Sequence, residues 1–388
     1  MKSNYERIGD FIREVNTRNA DLKATKLLGI NIDKFFMPSV ANIVGTDMAT
    51  YKIVKKGQFA CNRMHVGRDK RLPVALSNSS EAFIVSPAYD VFEVMDTEVL
   101  LPEYLMMWFS RKEYDRTAWF YTDADVRGGL NWEAFCDMKL PIPKPDKQKE
   151  IVKEYNVLVN LIALNNQLIQ KLEETAQTIY KQWFVDFEFP DENGKPYKSN
   201  GGEMIESEFG DIPKGWSVCR YEEIIDFKTG KLNSNAAVEN GIYPFFTCSS
   251  ETFKTNTYSF DTEAVILAGN NASAIYSLKY YIGKFDAYQR TYVISSKVDS
   301  LSNKQIYFSL KNELENFKGI SSGTATKFLT INILNNLKLV KSTRILSKKY
   351  DSIATVLFTQ LQLLQKETEL LFSFRDTLLL KLLKGKQI

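Results

Sequence analysis

The stretch "QKEIVKEYNVLVNLIALNNQLIQKLEETAQTIYKQW" (residues 148–183) has the most regular hydrophobic spacing in the chain. Ten positions recur at alternating steps of four and three residues, with charged and amide side chains on the other faces. Such spacing, sustained over about five heptads, predicts a long helix with a coiled-coil seam. Nine of the ten seam residues are apolar; the ten are Ile151, Tyr155, Leu158, Ile162, Asn165, Ile169, Leu172, Ala176, Ile179 and Trp183.

The sequence also marks both ends of this helix. Three prolines stand in residues 141–145, and turn-forming Gly, Pro and Asn residues follow in 190–202. Helices rarely continue through such segments. The predicted helix therefore occupies residues 146–189, and residues 190–202 form a linker.

A second and weaker seam is predicted near the C-terminus, in a helix that occupies part of residues 346–388. The alternate row of this seam is predicted to contain Ile353 and Phe374, although two polar residues interrupt it. A lone amphipathic helix is unstable in water, so the two long helices are expected to pair, antiparallel, with Asn165 helping to select the register. The main row recurs at steps of seven: Tyr350, Leu357, Leu364, Leu371 and Leu378.

Short segments of the chain repeat in the same order, about two hundred residues apart, which predicts a duplicated unit. Each unit consists of a globular part, residues 1–145 or 203–345, followed by one long helix. Short β-like runs with turn signals, mixed with helical patterns, predict an α+β fold for both globular parts. The repeated pairs are "YERIGDF" (5–11) with "YEEIIDF" (221–227), "LNWEAFCDMKLPI" (130–142) with "LTINILNNLKLVK" (329–341), and "LIQKLEE" (168–174) with "LLQKETE" (363–369).

Length and composition limit the possible function classes. The chain has 388 residues, enough for two domains, with 44% hydrophobic and 25% charged residues. The net charge of +3 is only mildly basic, so DNA binding would have to come from local patches. No apolar run reaches the ~18 residues of a membrane span, and the charged N-terminus does not resemble a signal peptide. Four scattered cysteines without a CxxC pair indicate reduced thiols, a cytoplasmic location and no zinc site.

The sequence argues against catalysis within this chain. His65 is its only histidine, which excludes an HExxH zinc motif and leaves little from which to build a His-dependent triad. No G-x-x-x-x-G-K phosphate loop and no G-x-G turn for S-adenosylmethionine occur. We therefore expect no catalytic residue, no metal and no cofactor in this chain.

Four segments resemble the specificity subunits of type I restriction–modification systems. The segment "LPIPKPDKQKEIV" resembles the proline-rich start of the first spacer helix in that family, although Lys144 and Lys147 replace a usual proline and glutamate. The second spacer lacks such prolines, which leaves the start of its helix open. The other three segments are "LEETAQTIYKQWFVDFEFP", at the end of the first spacer helix, "IPKGWSVCRYEEIIDFKTGK", at the start of a second target recognition domain, and "FRDTLLLKLLKGK", at the C-terminus.

The resemblance implies a DNA-reading scaffold. Each globular part would be a target recognition domain that reads one half of a split, asymmetric double-stranded DNA site, and the paired helices would set the gap. Two methyltransferase subunits would dock on the helices, and two restriction/translocase subunits would join them. S-adenosylmethionine, ATP and Mg would be held by these partners. The residues expected on the spacer or in docking are Ile151, Leu158, Ile162, Asn165, Ile169, Leu172, Ile179, Trp183, Phe184, Phe187, Leu357, Leu364, Leu371 and Leu378.

The aromatic residues Trp183, Phe184 and Phe187 at the end of the first helix allow two interpretations. They could anchor the helix to a recognition domain or to a bound methyltransferase, or they could be ordinary core residues.

Two segments of the first globular part are candidates for DNA contact. The loop "NRMHVGRDKRLP" (62–73) concentrates basic side chains that could reach phosphates or guanine edges, or it could be an ordinary solvated loop. The loop "DADVRGG" (123–129) precedes a predicted helix and could bind phosphate through Arg127 or simply cap the helix. The candidates in the first loop are Arg63, His65, Arg68, Lys70 and Arg71.

Two segments of the second globular part have the same character. The run "SLKYYIGKFDAYQR" (277–290) interleaves cations and tyrosines, which suits a nucleic-acid surface but also ordinary cross-strand packing. The loop "SSGTATK" (321–327) occupies the place equivalent to residues 123–129. The candidates are Lys279, Lys284, Tyr288, Arg290, Thr324 and Lys327.

A different class of function remains open. A structural adaptor with two protein-binding domains would share the coiled coil but would lack salt-sensitive affinity for DNA. The near-neutral charge of the chain favours this alternative, whereas the spacer-helix segments favour the DNA-reading scaffold.

Overall fold

The computed structural model describes residues 5–39, 45–64, 66–122, 128–321, 323 and 326–383. The chain forms two compact units: the first comprises residues 1–166 and 366–388, and the second comprises residues 167–365.

The first unit is built on a four-stranded antiparallel sheet in the order β2-β9-β6-β7. The first unit also contains three two-stranded sheets: β1-β10, β3-β4 and β5-β8. Its helices are α1 (Val66–Asp69), α2 (Pro102–Phe109), α3 (Lys112–Phe120), α4 (Trp132–Asp137) and the start of the first long helix, α5 (Pro145–Phe184). Its strands are β1 (Tyr5–Arg7), β2 (Ile12–Val15), β3 (Leu28–Ile30), β4 (Phe36–Pro38), β5 (Lys52–Val54), β6 (Gln58–Cys61), β7 (Val74–Leu76), β8 (Phe83–Val85), β9 (Asp90–Val94) and β10 (Lys139–Pro141).

The sheet of the first unit buries both of its faces. Successive side chains of a strand point to opposite faces, and Phe59 of β6 joins the core formed with α2 and α4, whereas the next residue, Ala60, joins a smaller core under β5 and β8. The Phe59 ring stacks on Phe92 of β9 with centroids 4.9 Å apart. Burial of each such ring contributes about 1.5–3 kcal/mol.

The second unit contains a six-stranded sheet in the order β14-β20-β17-β19-β15-β16, in which only the β15–β19 pair is parallel. Its helices are α6 (Tyr221–Ile224), α7 (Asn303–Glu313), α8 (Asn316–Ile320), α9 (Ile331–Asn335) and most of the second long helix, α10 (Arg344–Leu383). Its strands are β11 (Met204–Ser207), β12 (Gly210–Pro213), β13 (Ser217–Arg220), β14 (Ile225–Thr229), β15 (Tyr243–Phe246), β16 (Thr252–Thr255), β17 (Phe260–Ala268), β18 (Asn270–Asn271), β19 (Leu278–Ala287), β20 (Thr291–Ser296), β21 (Lys327–Phe328) and β22 (Lys338–Lys341).

In each unit, a segment near the start of the globular part pairs with a segment near its end in the same way, which confirms the predicted duplication. Near the start of the first unit, the Ile8 amide donates to the carbonyl of Met138, 2.8 Å away. In the second unit the Tyr221 amide donates to Leu337 at the same 2.8 Å distance. The strand pair β1-β10 corresponds to β13-β22, and α4 corresponds to α9. The fold is therefore α+β, with two similar globular parts, each followed by a long helix.

The two long helices each contain 40 residues, which at 1.5 Å per residue corresponds to roughly 60 Å. Pro145 is the first helical residue of α5, a position that needs no backbone N–H donor. All ten predicted seam positions of α5 are buried or partly buried.

Segments of the two long helices pack against each other within each unit. In the first unit, the Asn165 amide donates to the Glu367 carboxylate at 3.1 Å, and the earlier Ile151 shares a core with the later Leu379. These helix segments therefore run antiparallel. In the second unit, the Tyr180 ring of α5 lies 6.2 Å from the Tyr350 ring of α10.

The prediction for the alternate row of the second helix was wrong by one residue. Ile353 and Phe374 are exposed, whereas Ala354, Leu361 and Thr368, in the adjacent row, are buried. Steps of three and of four residues both stay on one helical face, so spacing alone does not decide between adjacent rows. The packed row contains a small residue and a threonine, and this composition hid it from a search for hydrophobic residues.

Candidate nucleic-acid interface

The basic loop of the first unit follows strand β6, and Arg63 at its start is turned inward. The Arg63 Nε donates to Oδ2 of Asp90 at 2.6 Å, another guanidinium nitrogen donates to the carbonyl of Leu130, and the guanidinium carbon lies 5.5 Å from the centre of the Trp132 ring. The Arg63 side chain is only 19% exposed. It therefore ties the loop to strand β9 and to the start of α4.

The other described cations of this loop are more accessible. The exposed Arg68 makes a bidentate contact with the neighbouring Asp69, at 2.6 and 3.0 Å. The Lys70 ammonium lies 4.8 Å from the centre of the Trp119 ring. Arg71 pairs with Asp33 at 2.9 Å. Because these contacts lie at the surface and exposed ion pairs are weak, Arg68 and Lys70 are available to an anionic partner.

The fold brings the two predicted loops of the first unit together. The Gly67 amide donates to the carbonyl of Gly128 at 2.7 Å. A Cβ atom on Gly67 would lie 2.7 Å from the Cα of Gly128, so this approach requires glycine. His65 and Arg127 lie outside the described residues.

In the second unit, Lys279 of β19 is partly buried and is held by polar groups at the start of β16. Its ammonium donates to the carbonyl of Glu251 at 2.7 Å and to Oγ1 of Thr252 at 3.0 Å. Burial lowers the pKa of Lys279 to about 8. The exposed Lys284 lies 4.7 Å from the Tyr258 ring centre, and Tyr288 is half-buried and pairs through its backbone with Leu232.

Arg290 and Lys327, which are distant in sequence, lie at one site in the second unit. The exposed Arg290 places its guanidinium carbon 5.4 Å from the Phe328 ring centre, and Phe328 adjoins Lys327 in β21. The carbonyl of Arg290 accepts from the Gly269 amide at 2.8 Å. Strand β18 pairs Asn271 with Lys327, so two asparagines join these cations. Thr324 lies outside the described residues.

Each of the two sites contains an equivalent backbone hydrogen bond within its own unit. The Leu130 amide donates to the carbonyl of Arg63 at 3.0 Å in the first unit, and the Leu329 amide donates to the carbonyl of Gly269 at 2.9 Å in the second. In each case this backbone junction joins the loop after a central strand to the residue just before the repeated short helix.

Comparisons with known proteins agree with this arrangement. Residues 213–340 match the family model described as the type I restriction modification DNA specificity domain. The specificity subunit of the Escherichia coli type I restriction enzyme EcoDI is 30% identical over 181 residues, which cover 46% of this chain and 40% of that protein. The MjaIX specificity subunit of Methanocaldococcus jannaschii is 24% identical over 289 residues, which cover 68% of this chain and 65% of that protein. The resemblance to type I specificity subunits is confirmed.

A solved structure extends this similarity to the fold of the whole chain. The crystal structure of a type I S subunit from M. genitalium has a TM-score of 0.58 at 14% identity, and the match covers 98% of this chain and 95% of that one. The chain spans less than two thirds of the curated specificity subunits that it matches. Residues 213–340 include all the candidates of the second unit, from Lys279 to Lys327, and none from the first.

The aromatic end of the first long helix, α5, lies in the core of the second unit. Trp183 and Phe184 are buried, and their ring centroids lie 5.9 and 5.0 Å from that of Tyr350. Phe187 contacts Trp216 edge to face at 5.5 Å. These rings anchor the end of the helix in the second unit.

Sequence reasoning missed one group of exposed aromatic and basic residues in the first unit. Arg116, Trp119, Phe120 and Tyr121 lie on and just after α3, beside the basic loop of the first unit. The signal available in the sequence was a run of three consecutive aromatic residues that begins three positions after an arginine.

In the described part of the chain, no group of three or more His, Cys, Asp or Glu side chains could hold a metal ion. No helix among these residues has the length and hydrophobicity needed to cross a membrane.

Proposed function

We propose that this chain is the non-catalytic DNA-recognition subunit of a type I restriction–modification complex in the cytoplasm. Each unit reads one half of a split, asymmetric double-stranded DNA site. The observation that carries this proposal is the duplication: the DNA specificity match at residues 213–340 lies in the second unit, and the first unit repeats its backbone junction.

The accessible cations support a DNA contact at that junction in both units. In the first unit these are the exposed Arg68 and Lys70, and in the second they are the exposed Arg290 and the partly buried Lys327. Phosphate contacts position a protein on DNA, and arginine can also bind guanine in bidentate fashion.

We further propose that the long helices set the gap between the half-sites and carry the partners. Two methyltransferase subunits dock on the helices, and two restriction/translocase subunits join them. Within the first unit, Val157 and Leu164 of α5 and Leu370 and Phe374 of α10 are exposed, which supports docking of an apolar partner surface. S-adenosylmethionine, ATP and Mg are then held by the partner subunits.

Long-read sequencing of methylated DNA tests this function. Cells that carry this gene with the neighbouring methyltransferase gene are compared with cells from which this gene has been deleted. We expect a split, asymmetric methyladenine motif that disappears on deletion, and exchange of one unit should change one half of the motif. Unchanged methylation in cells that express both proteins would refute the proposal.

The adaptor alternative also has an observation in its favour. Two of the predicted DNA-binding cations, Arg63 and Lys279, bind groups within their own unit, and the net charge is only +3. The salt dependence of DNA affinity separates the two functions. For a DNA-binding subunit, the logarithm of the binding constant for DNA falls steeply and linearly with the logarithm of the salt concentration. An adaptor has no specific affinity for DNA and would show no such dependence.

A further inference from the structure

The end of α3 and the residue that follows it expose three consecutive aromatic side chains in the first unit. Phe120 is 82% exposed, Tyr121 is 49% exposed and Trp119 is 43% exposed. Single exposed apolar residues are common on proteins, whereas a contiguous apolar patch with a polar rim marks an interaction site. The Phe120 and Tyr121 rings meet edge to face at 5.5 Å.

This helix is fixed firmly to the body of its unit. Tyr114 and Ala118 are buried in the core, on the side opposite the exposed rings. The buried Asp115 accepts a hydrogen bond from the Lys34 ammonium at 2.7 Å and another from the Leu72 amide at 3.0 Å. Because Leu72 belongs to the basic loop, this hydrogen bond joins the loop to α3.

Two cations, Arg116 and Lys70, lie beside the exposed rings. Arg116 lies one helical turn before Phe120 on the same face, and it forms no ion pair with a carboxylate in the described part of the chain. The Lys70 ammonium lies over the Trp119 ring. Lys112 and Arg116 also line, with Lys70 and Arg71, a cleft of about 660 Å³ whose lining also includes the carboxylates of Asp33, Glu113, Asp115 and Asp376. An apolar tip with a cationic rim is complementary to DNA, which offers stacked bases between phosphates.

We propose that Phe120 inserts as a wedge between base pairs of the half-site bound by the first unit, while Arg116 and Lys70 bind the flanking phosphates. This inference rests on the proposed function. Phenylalanine is one of the apolar residues that proteins insert between base steps, where it unstacks the bases and kinks the duplex. The step that receives the ring is then selected by how easily it deforms, so Phe120 contributes to sequence preference without a hydrogen bond to a base.

The test uses the full chain in complex with its methyltransferase, on a duplex that carries the methylated motif. The fluorescent adenine analogue 2-aminopurine replaces adenine at each position of the half-site assigned to the first unit except the methylated adenine, which the methyltransferase itself takes out of the stack. We expect its fluorescence to rise on binding at one step, because unstacking relieves quenching. Phe120→Ala abolishes the rise and weakens binding roughly 10- to 100-fold, the range that follows from the loss of one aromatic–base contact. Phe120→Leu retains much of the rise.

Two further variants serve as controls. Phe209→Ala removes an exposed ring from the turn between β11 and β12 of the second unit, and it should change neither the fluorescence nor the affinity. Arg116→Gln should reduce the slope of log affinity against log salt by about one and leave the rise in fluorescence in place.

The outcomes separate this proposal from the function on which it rests. A complex that methylates a split motif but shows no rise at any position, or a Phe120→Ala variant that keeps the rise, overturns the wedge alone. A Phe120→Ala variant that binds DNA normally but loses its methyltransferase assigns the patch to a protein contact and also overturns the wedge. Absence of a split motif overturns both proposals.

Discussion

At the scale of single residues, Gln148 shows how a buried amide organises the start of the first long helix. Its Oε1 accepts from the Leu101 amide at 2.9 Å, and its Nε2 donates to the carbonyls of Val99 and Pro143, both at 2.8 Å. Gln148 is fully buried, so no water replaces these bonds. One side chain thereby satisfies three backbone groups where the sheet, α2 and α5 meet.

Replacement of Gln148 by leucine should destabilise the first unit by about 2–4 kcal/mol. Each buried backbone group that loses its partner costs about 1–3 kcal/mol, and partial rearrangement of the surrounding chain recovers some of this free energy. Urea unfolding of the full chain measures this change. Gln167→Leu, at an exposed position of the same helix, is the matched control. Equal unfolding midpoints for the two variants would contradict the role assigned to Gln148.

Lys279 predicts a pH dependence in the second unit. Burial lowers its pKa in the folded state to about 8, below the ordinary value of 10.5. Between these two values the unfolded chain binds more protons at this site than the folded chain, so the free energy of unfolding rises with pH. Below about pH 8 the lysine is protonated in both states, and its contribution no longer changes with pH.

Urea midpoints at pH 7, 8.5 and 9.5 test this expectation. The difference in stability between the wild-type chain and Lys279→Met should move in favour of the wild type as the pH increases through this window. Lys254→Met, at an exposed position on β16, should show no such trend. A constant difference between wild type and Lys279→Met would refute the assignment.

At the scale of elements, Tyr350 anchors the second long helix in the second unit. Its ring is buried among those of Tyr180, Trp183 and Phe184, with centroids 5.0–6.2 Å away. In the described part of the chain, the buried Tyr350 hydroxyl has no hydrogen-bond partner. The helix is therefore held by ring packing, and the hydroxyl adds little.

Two substitutions at Tyr350 should have very different effects. Tyr350→Ala leaves a cavity and should cost about 3–5 kcal/mol. Tyr350→Phe removes only the unpaired hydroxyl and should be neutral or slightly stabilising. Val356→Ala, on the exposed side of the same helix, should change stability by less than about 0.5 kcal/mol. Thermal unfolding ranks the three variants, and a large loss for Tyr350→Phe would show that the hydroxyl has a partner.

At the scale of the whole molecule, each long helix contributes residues to both units. Residues 145–166 of α5 belong to the first unit and residues 167–184 to the second, and α10 changes units between residues 365 and 366. A helix is stiff, because every backbone group inside it is hydrogen-bonded. This continuity is the physical basis of the proposed control of the gap between half-sites.

Deletion of seven residues from each helix tests that control. Removal of residues 162–168 and of the facing residues 364–370 shortens each helix by about 10 Å and keeps the heptad phase. We expect the unspecified gap in the methylated motif to shorten by up to about three base pairs, since base pairs rise 3.4 Å each, while both half-sites stay the same. Long-read sequencing of methylated DNA gives the result. An unchanged gap in an active complex would refute the proposal that the helices set the gap.

Much of the architecture follows from the sequence by itself. The duplication, the two long helices and the seam of the first helix rest on periodic patterns, and periodicity reports on helical faces within a single element. All ten seam positions predicted for α5 are at least partly buried, because a regular alternation of four and three steps leaves only one face to cover. The seam of α10 was predicted less well, since adjacent rows differ by one residue.

Tertiary structure alone decided which candidate side chains are accessible. Arg63 looked like Arg68 in the sequence, yet Asp90 and Leu130 hold it inside the first unit. Lys279 is bound by carbonyl groups of the 249–252 segment, whereas Phe120, which no motif singled out, stands in solvent. A periodic pattern is local, but an ion pair or a buried ring depends on distances between residues far apart in the chain. Only the folded backbone sets those distances.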